Sequence, residues 1–189
     1  MTSFFRIETP GDMLDRAETV LSHIPGGFQK ASMRAINAAV TAGRTAASVG
    51  ARATYTAKAS KIKSTVSIRK ASGGTLEAEL KSKGPPLNLK HFQHRPATDT
   101  TGGNRRSIRV SVKKGSAKAL ATGFISNRLH GNVFTRVAGE RRIRSAVSVA
   151  VPQMIENAEV REKLMHRMDE TLNRRLEHEV GYILSKGKA

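Results

Sequence analysis

The sequence contains no cysteine and no tryptophan, and only 4% of its 189 residues are aromatic. The missing cysteines remove disulfides, thiolate metal ligands and cysteine nucleophiles together, and fit a reducing compartment. The few aromatics leave a core to be built from Ala, Val, Ile, Leu and Met, and little with which to stack bases. No run approaches the roughly 18 consecutive apolar residues of a membrane span. The opening MTSFFRIETPGDM turns acidic too soon for a secretory signal. A soluble protein with no membrane partner is therefore expected. Acidic side chains are scarce as well, and none occurs between Glu18 and Glu77.

Against 15 Asp and Glu the chain carries 33 Lys and Arg, a formal net charge of +18. Its length suits one domain over 1–189. Hydrophobic residues at 38%, with 16 glycines, bring the apolar content near the globular average. The charge is unevenly placed. Residues 58–118 hold 15 basic groups against Glu77, Glu79 and Asp99, a net of +12. Residues 119–152 add a net of +4, residues 1–57 a net of +2, and 153–189 balance. An anionic partner is expected to meet the middle of the chain.

Periodicity divides the chain in the same way. Residues 10–53 form a helical region. Met13, Ala17, Val20 and Leu21 give 10–23 one apolar side, and Pro25-Gly26-Gly27 breaks it. Residues 28–53 follow as a helix with nine alanines in 26 positions. Phe28, Ile36, Val40 and Ala47 mark its apolar side, and Gly43 and Gly50, seven apart, would let another backbone approach. Residues 58–152 read as a basic, β-rich region. ASKIKSTV supplies one or two helical turns, and Val66/Ile68 with Leu76/Ala78/Leu80 then alternate around Ser72-Gly73-Gly74 as a hairpin. Residues 84–104, with Pro85-Pro86, Pro96 and Gly102-Gly103, read as a long loop. Residues 107–113, 123–126, 132–136 and 146–151 are further strand candidates. Asn157 can cap a final helix over 157–186, striped by Val160, Leu164, Met168, Leu172, Leu176, Val180 and Leu184. The expected class is α+β, a mainly antiparallel sheet with a long Ala-rich helix in the N-terminal half and a long C-terminal helix. Phe28, Ile36, Gly43, Gly50, Leu164, Met168, Leu172 and Leu176 are the candidates for subunit packing, the alternative being a tight seam inside the domain.

Catalytic constellations are weak. The Gly-Gly pairs lack the spacing of a phosphate-binding loop, and there is no G-x-S-x-G elbow. His91-x-x-His94 sits in a Pro-rich stretch with only Asp99 near it in sequence, which is poor ground for a metal. In Glu177-His178-Glu179, Tyr182 stands where a zincin would place its second histidine, and a solvated helix face explains the run better. Glu77-x-Glu79-x-Lys81 could hold a divalent cation on one strand face, as in metal-dependent nucleases, but no acidic residue occurs anywhere from 19 to 76 to supply a further ligand. No catalytic residue, metal or cofactor is expected. The basic residues are the serious candidates for contact with DNA or an acidic protein: Lys61, Lys63, Arg69, Lys70, Lys81, Lys83, Arg105, Arg106, Arg109, Lys113 and Lys114. No helix-turn-helix, zinc finger or RNP pattern accompanies them, so contact with backbone phosphate is favoured over base reading.

Six segments carry a family likeness: IPGGFQKASMRAINAA (24–39), YTAKASKIKSTVSIRKAS (55–72), LEAELKSKGPPLNLKHFQHRP (76–96), VSVKKG (110–115), VPQMIENAEV (151–160) and RLEHEVGYIL (175–184). In order and spacing the series resembles the minor tail protein Z family of lambda-like tailed phages and prophages, across roughly 24–184. The resemblance implies a non-enzymatic tail completion protein of the virion, added in the host cytoplasm at the head-proximal end of the tail, where it helps head–tail joining and DNA passage. It also implies a homo-oligomeric ring, six-fold symmetry being the first candidate, with the tail terminator and head–tail connector as neighbours. The central basic segment would then face DNA in the channel or an acidic neighbouring ring. A free, nonspecific DNA-binding protein is the alternative, and a metal-dependent nuclease a distant third.

Overall fold

Two helices too long to be covered by short loops dominate the architecture and cover one another. The computed structural model describes residues 2–6, 11–101 and 107–187. In chain order the first elements are β1 (Thr2–Arg6), α1 (Gly11–Leu21), α2 (Gly27–Thr54) and α3 (Ala59–Thr65). Then come β2 (Val66–Arg69), β3 (Glu79–Lys83), β4 (Pro86–Asn88), β5 (Gln93–Arg95), β6 (Ile108–Ser111) and β7 (Ala117–Leu120). β8 (Gly123–Ser126), β9 (Asn132–Arg136), β10 (Ile143–Ser145), β11 (Val147–Ala150), α4 (Val151–Ile155) and α5 (Ala158–Gly187) complete the series. At 28 and 30 residues, α2 and α5 are each about 42–45 Å long.

The two long helices run antiparallel. Gly27 lies beside Ile183, Gly43 beside Met168 and Gly50 beside Val160. Ala31, Ala35, Ala39, Ala47 and Ala51 line the α2 side, all fully buried, and Leu164, Met168, Leu172 and Leu176 line the α5 side. Small residues on one helix and large ones on the other bring the axes close while filling the space between them. A Cβ added at Gly43 would stand 2.6 Å from Met168 Cγ.

This seam corrects the reading of these residues as subunit contacts. Ile36, Gly43, Gly50, Leu164, Met168, Leu172 and Leu176 are buried within their own chain, and Phe28 is half-buried against the same core. Two apolar stripes in one chain meet each other without the translational cost of recruiting a second molecule.

All the strand pairs are antiparallel, in sheets ordered β1-β3-β2, β10-β9-β8, β11-β4 and β5-β6-β7. The α+β class expected from the pattern is what the chain adopts. The hairpin of β2 and β3 sets Ile68 opposite Leu80, but β3 starts at Glu79 and runs on to Lys83 because β1 pairs along that same length. Within 84–101 the stretch expected as a loop is not one loop: Leu87 of β4, Leu89 and Phe92 are core residues, with a 3-10 turn over Leu89–His91 between β4 and β5. Its last residues, 102–104, lie outside the described residues. α5 begins directly after Asn157, whose carbonyl accepts the Arg161 N–H at 2.8 Å.

Candidate nucleic-acid interface

The expected basic residues fall on three neighbouring parts of the β-rich region. Lys61 and Lys63 lie on α3, and the Lys63 carbonyl accepts a bond from the Arg44 guanidinium at 3.3 Å. Arg69, Lys81 and Lys83 stand on the outer face of the first sheet. Leu80 and Ser82 point inward, so alternation turns Lys81 and Lys83 outward. Lys81 Nζ sits 4.7 Å above the ring of Phe4, whose outward position on β1 leaves it 57% exposed. Arg69 pairs with Glu79 at 3.5 Å, and Lys70 follows it, exposed.

The third part is the β5-β6-β7 sheet and the chain beyond β6. Ile108 and Val110 are buried, which turns Arg109 and Ser111 outward. Lys113 Nζ approaches the Tyr55 ring at 5.9 Å from its centroid, and the Lys114 N–H donates to the Thr54 carbonyl at 3.0 Å. Thr56 fastens this sheet to the end of α2. Its hydroxyl donates to the Ser111 carbonyl and accepts from the Gln93 N–H. Arg105 and Arg106 lie outside the described residues.

The fold adds basic residues that the sequence pattern did not single out. Lys58 and Lys90 join Lys61 around the half-buried His91. Burial first, and then these three ammonium groups, hold the His91 imidazole below its ordinary pKa. Lys90 Nζ also donates to the His130 carbonyl at 3.2 Å. On β5, Arg95 stands directly opposite Arg109. A window of sequence carries no signal for that pair; it depends on the strand register.

Counter-charge is nearly absent from this surface. Among the described residues, Arg69–Glu79 is the only ion pair formed by a residue of 58–118. Asp99 is occupied elsewhere. Its Oδ1 accepts the N–H and hydroxyl of Thr101, and its Oδ2 accepts the Asn127 N–H at 2.7 Å. Those bonds, the one from Asn127 foremost, hold its carboxyl below the usual range.

Among the described residues, the candidate metal ligands named from the sequence are not brought together. Glu79 faces Arg69, and Glu77 precedes the strand, so the two carboxylates do not share a strand face. His91 lies in the 3-10 turn, whereas His94 lies on β5 with Nδ1 2.9 Å from the Phe92 carbonyl oxygen. Glu177 and His178 are exposed on α5, and Glu179 pairs with Arg34 at 3.0 Å. No group of three or more His, Asp or Glu suited to a metal ion occurs among the described residues. No helix among them is long and apolar enough to cross a membrane.

Comparisons with protein-family models, with curated proteins and with solved structures found no match to this chain.

Proposed function

We propose that the protein is a structural tail completion component of a tailed phage or prophage. In this reading it acts at the head-proximal end of the tail and helps head–tail joining and DNA passage. The observation that carries the reading is the ordered series of six segments across 24–184 that resembles the minor tail protein Z family. A basic region almost without internal counter-charge agrees with a role beside DNA or an acidic neighbouring ring. Because the α2–α5 seam is closed within the chain, subunit contacts in a homo-oligomeric ring would fall to other surfaces, such as those around the exposed Val20, Val49 and Tyr182. Immuno-electron microscopy of virions should place the protein at the head-proximal tail end, and deletion of its gene should leave tails that fail to join heads. Normal infectious particles without the gene would defeat this reading.

A free, nonspecific DNA-binding protein is the second reading, favoured by the same uncompensated surface. Duplex binding by the isolated monomer separates the two. Binding near 150 mM salt within or tighter than the typical nonspecific range of about 10⁻⁴ to 10⁻⁶ M supports the free binder. Binding that is lost at that salt and survives only near about 50 mM supports a component that acts only when assembled.

A further inference from the structure

We infer that the outer face of the β5-β6-β7 sheet, centred on Arg95 and Arg109, is a seat for the phosphate backbone of duplex DNA. The inference deepens the DNA-contact part of the proposed function and rests on it.

The strand register supplies the first argument. Arg95, Arg109 and Ala119 form one cross-strand row, and Gln93, Ser111 and Ala117 form the next row on the same face. Directly opposed side chains in such rows have Cβ atoms about 4.5–5.5 Å apart, and like charges there repel. The arrangement therefore works against stability unless an anion lies between the guanidiniums. No ion pair engages either arginine among the described residues, and Asp99 has its oxygens committed to Thr101 and Asn127.

The shape and chemistry of the face supply the second. Gln93, Arg95, Arg109, Gly115 and Ala117 help line an open depression of about 340 Å³. Side chains on the β7 side are short, so a phosphodiester backbone can reach the guanidiniums. Each guanidinium is a planar fork of donors matched to phosphate oxygens. Arginine can anchor a protein contact as well, but the desolvated centre of such a contact also carries large apolar or aromatic side chains, and neither cross-strand row contains one. Backbone phosphate requires only charge and donors, and the face offers no ring on which a base could stack. DNA phosphate is accordingly favoured over an acidic protein.

The test is fluorescence anisotropy of a mixed-sequence duplex with the full-length protein, from about 50 to 200 mM salt, the range over which phosphate contacts weaken strongly. Arg95→Gln, Arg109→Gln and the double variant are compared with Lys163→Gln, a cation on α5 already paired with Glu159. Each lost phosphate contact should lower the slope of log K against log salt by about 0.9, and the double variant by about 1.8, with roughly eight-fold weaker binding per contact near 0.1 M salt. Lys163→Gln should leave the slope unchanged, and a second, unrelated duplex sequence should bind equally. Removing an opposed like charge should leave Tm unchanged or raised, which separates lost contact from lost fold. If the wild type binds and the double variant keeps its slope while Lys58→Gln with Lys61→Gln lowers it, this face is overturned although DNA contact stands. Failure of the wild type to bind duplex at 50 mM salt overturns both. Absence of the protein from virions, with the slope changes intact, would overturn only the tail reading.

Discussion

Gly43 and Gly50 face the same partner helix with different clearance, and that difference should be measurable. Alanine for glycine inside a helix gains about 1 kcal/mol of intrinsic propensity. At Gly50 a new methyl would meet Val160 Cγ1 at 3.1 Å, which a shift of a few tenths of an ångström relieves. Gly50→Ala should therefore be neutral or stabilising by up to about 1 kcal/mol. At Gly43 the methyl would stand 2.6 Å from Met168 Cγ, with Leu80 Cδ1 at 3.5 Å. Met168 is fully buried and must change rotamer in a filled core, at a cost of about 1–3 kcal/mol that exceeds the propensity gain. Gly43→Ala should lower the urea midpoint while Gly50→Ala does not, and the opposite order would contradict the seam as described. Ser32, also on α2, offers a complementary test, since its buried hydroxyl has no hydrogen-bond partner among the described residues. Ser32→Ala removes a desolvated polar group and improves helix propensity, so a gain of about 1 kcal/mol is expected in the same denaturation.

At the scale of elements, the short strands are held by side chains as much as by ladders. The Asn88 amide donates to the Val133 carbonyl at 2.9 Å and to Ser145 Oγ at 2.8 Å. Its carbonyl accepts from the Val133 and Lys90 N–H groups, both at 3.0 Å. One side chain thereby joins β4 to β9 and β10. Asn88→Ala would strand the N–H of Val133, a fully buried residue, while the Val133 carbonyl keeps the Ala146 N–H at 2.9 Å. The change should cost about 1–3 kcal/mol for the one orphaned group. Thermal unfolding would show the loss, and hydrogen exchange should quicken at the Val133 amide; unchanged protection there would rule out this link. Such ties explain what sequence could and could not reveal. The helices α1, α2 and α5 were legible because apolar residues recur with the helical period over many turns. The strands β6, β8 and β9 were legible from alternation. β10 is exposed at all three positions and β7 at three of four, so neither carries a hydrophobic pattern. β1 presents only Phe4 and Phe5, and the three-residue β4 and β5 lie among prolines, where an apolar alternation has no length in which to develop.

For the molecule as a whole, the basic excess was legible but its geometry was not. Composition located the +12 between residues 58 and 118, whereas the meeting of Lys58, Lys61 and Lys90 around His91 depends on tertiary contact. The long stripes of α2 and α5 were legible too, but periodicity could not say that each was the other's partner. A chain that gathers positive charge without neutralising it should be stabilised by salt. Raising the ionic strength from about 0.01 to 0.15 M shortens the Debye length from about 30 to 8 Å, screening repulsion among the exposed cations. Exposed pairs such as Lys163–Glu159 contribute little, so their screening should not reverse the gain, and Tm should rise with salt at pH 7.5. The pH response has a definite sign. His91 titrates below its ordinary value of 6.5 in the folded protein, so the unfolded chain binds more protons between the two values. Its contribution to stability is complete above pH 6.5 and is lost as pH falls through the ordinary value toward the lowered one. Because Lys61, Lys90 and Lys58 supply part of that shift, the loss between pH 7.5 and 5.5 should be smaller in high salt and smaller again in His91→Gln. A Tm that falls with added salt, or a pH dependence untouched by His91→Gln, would show that charge repulsion in this region does not limit the stability of the fold.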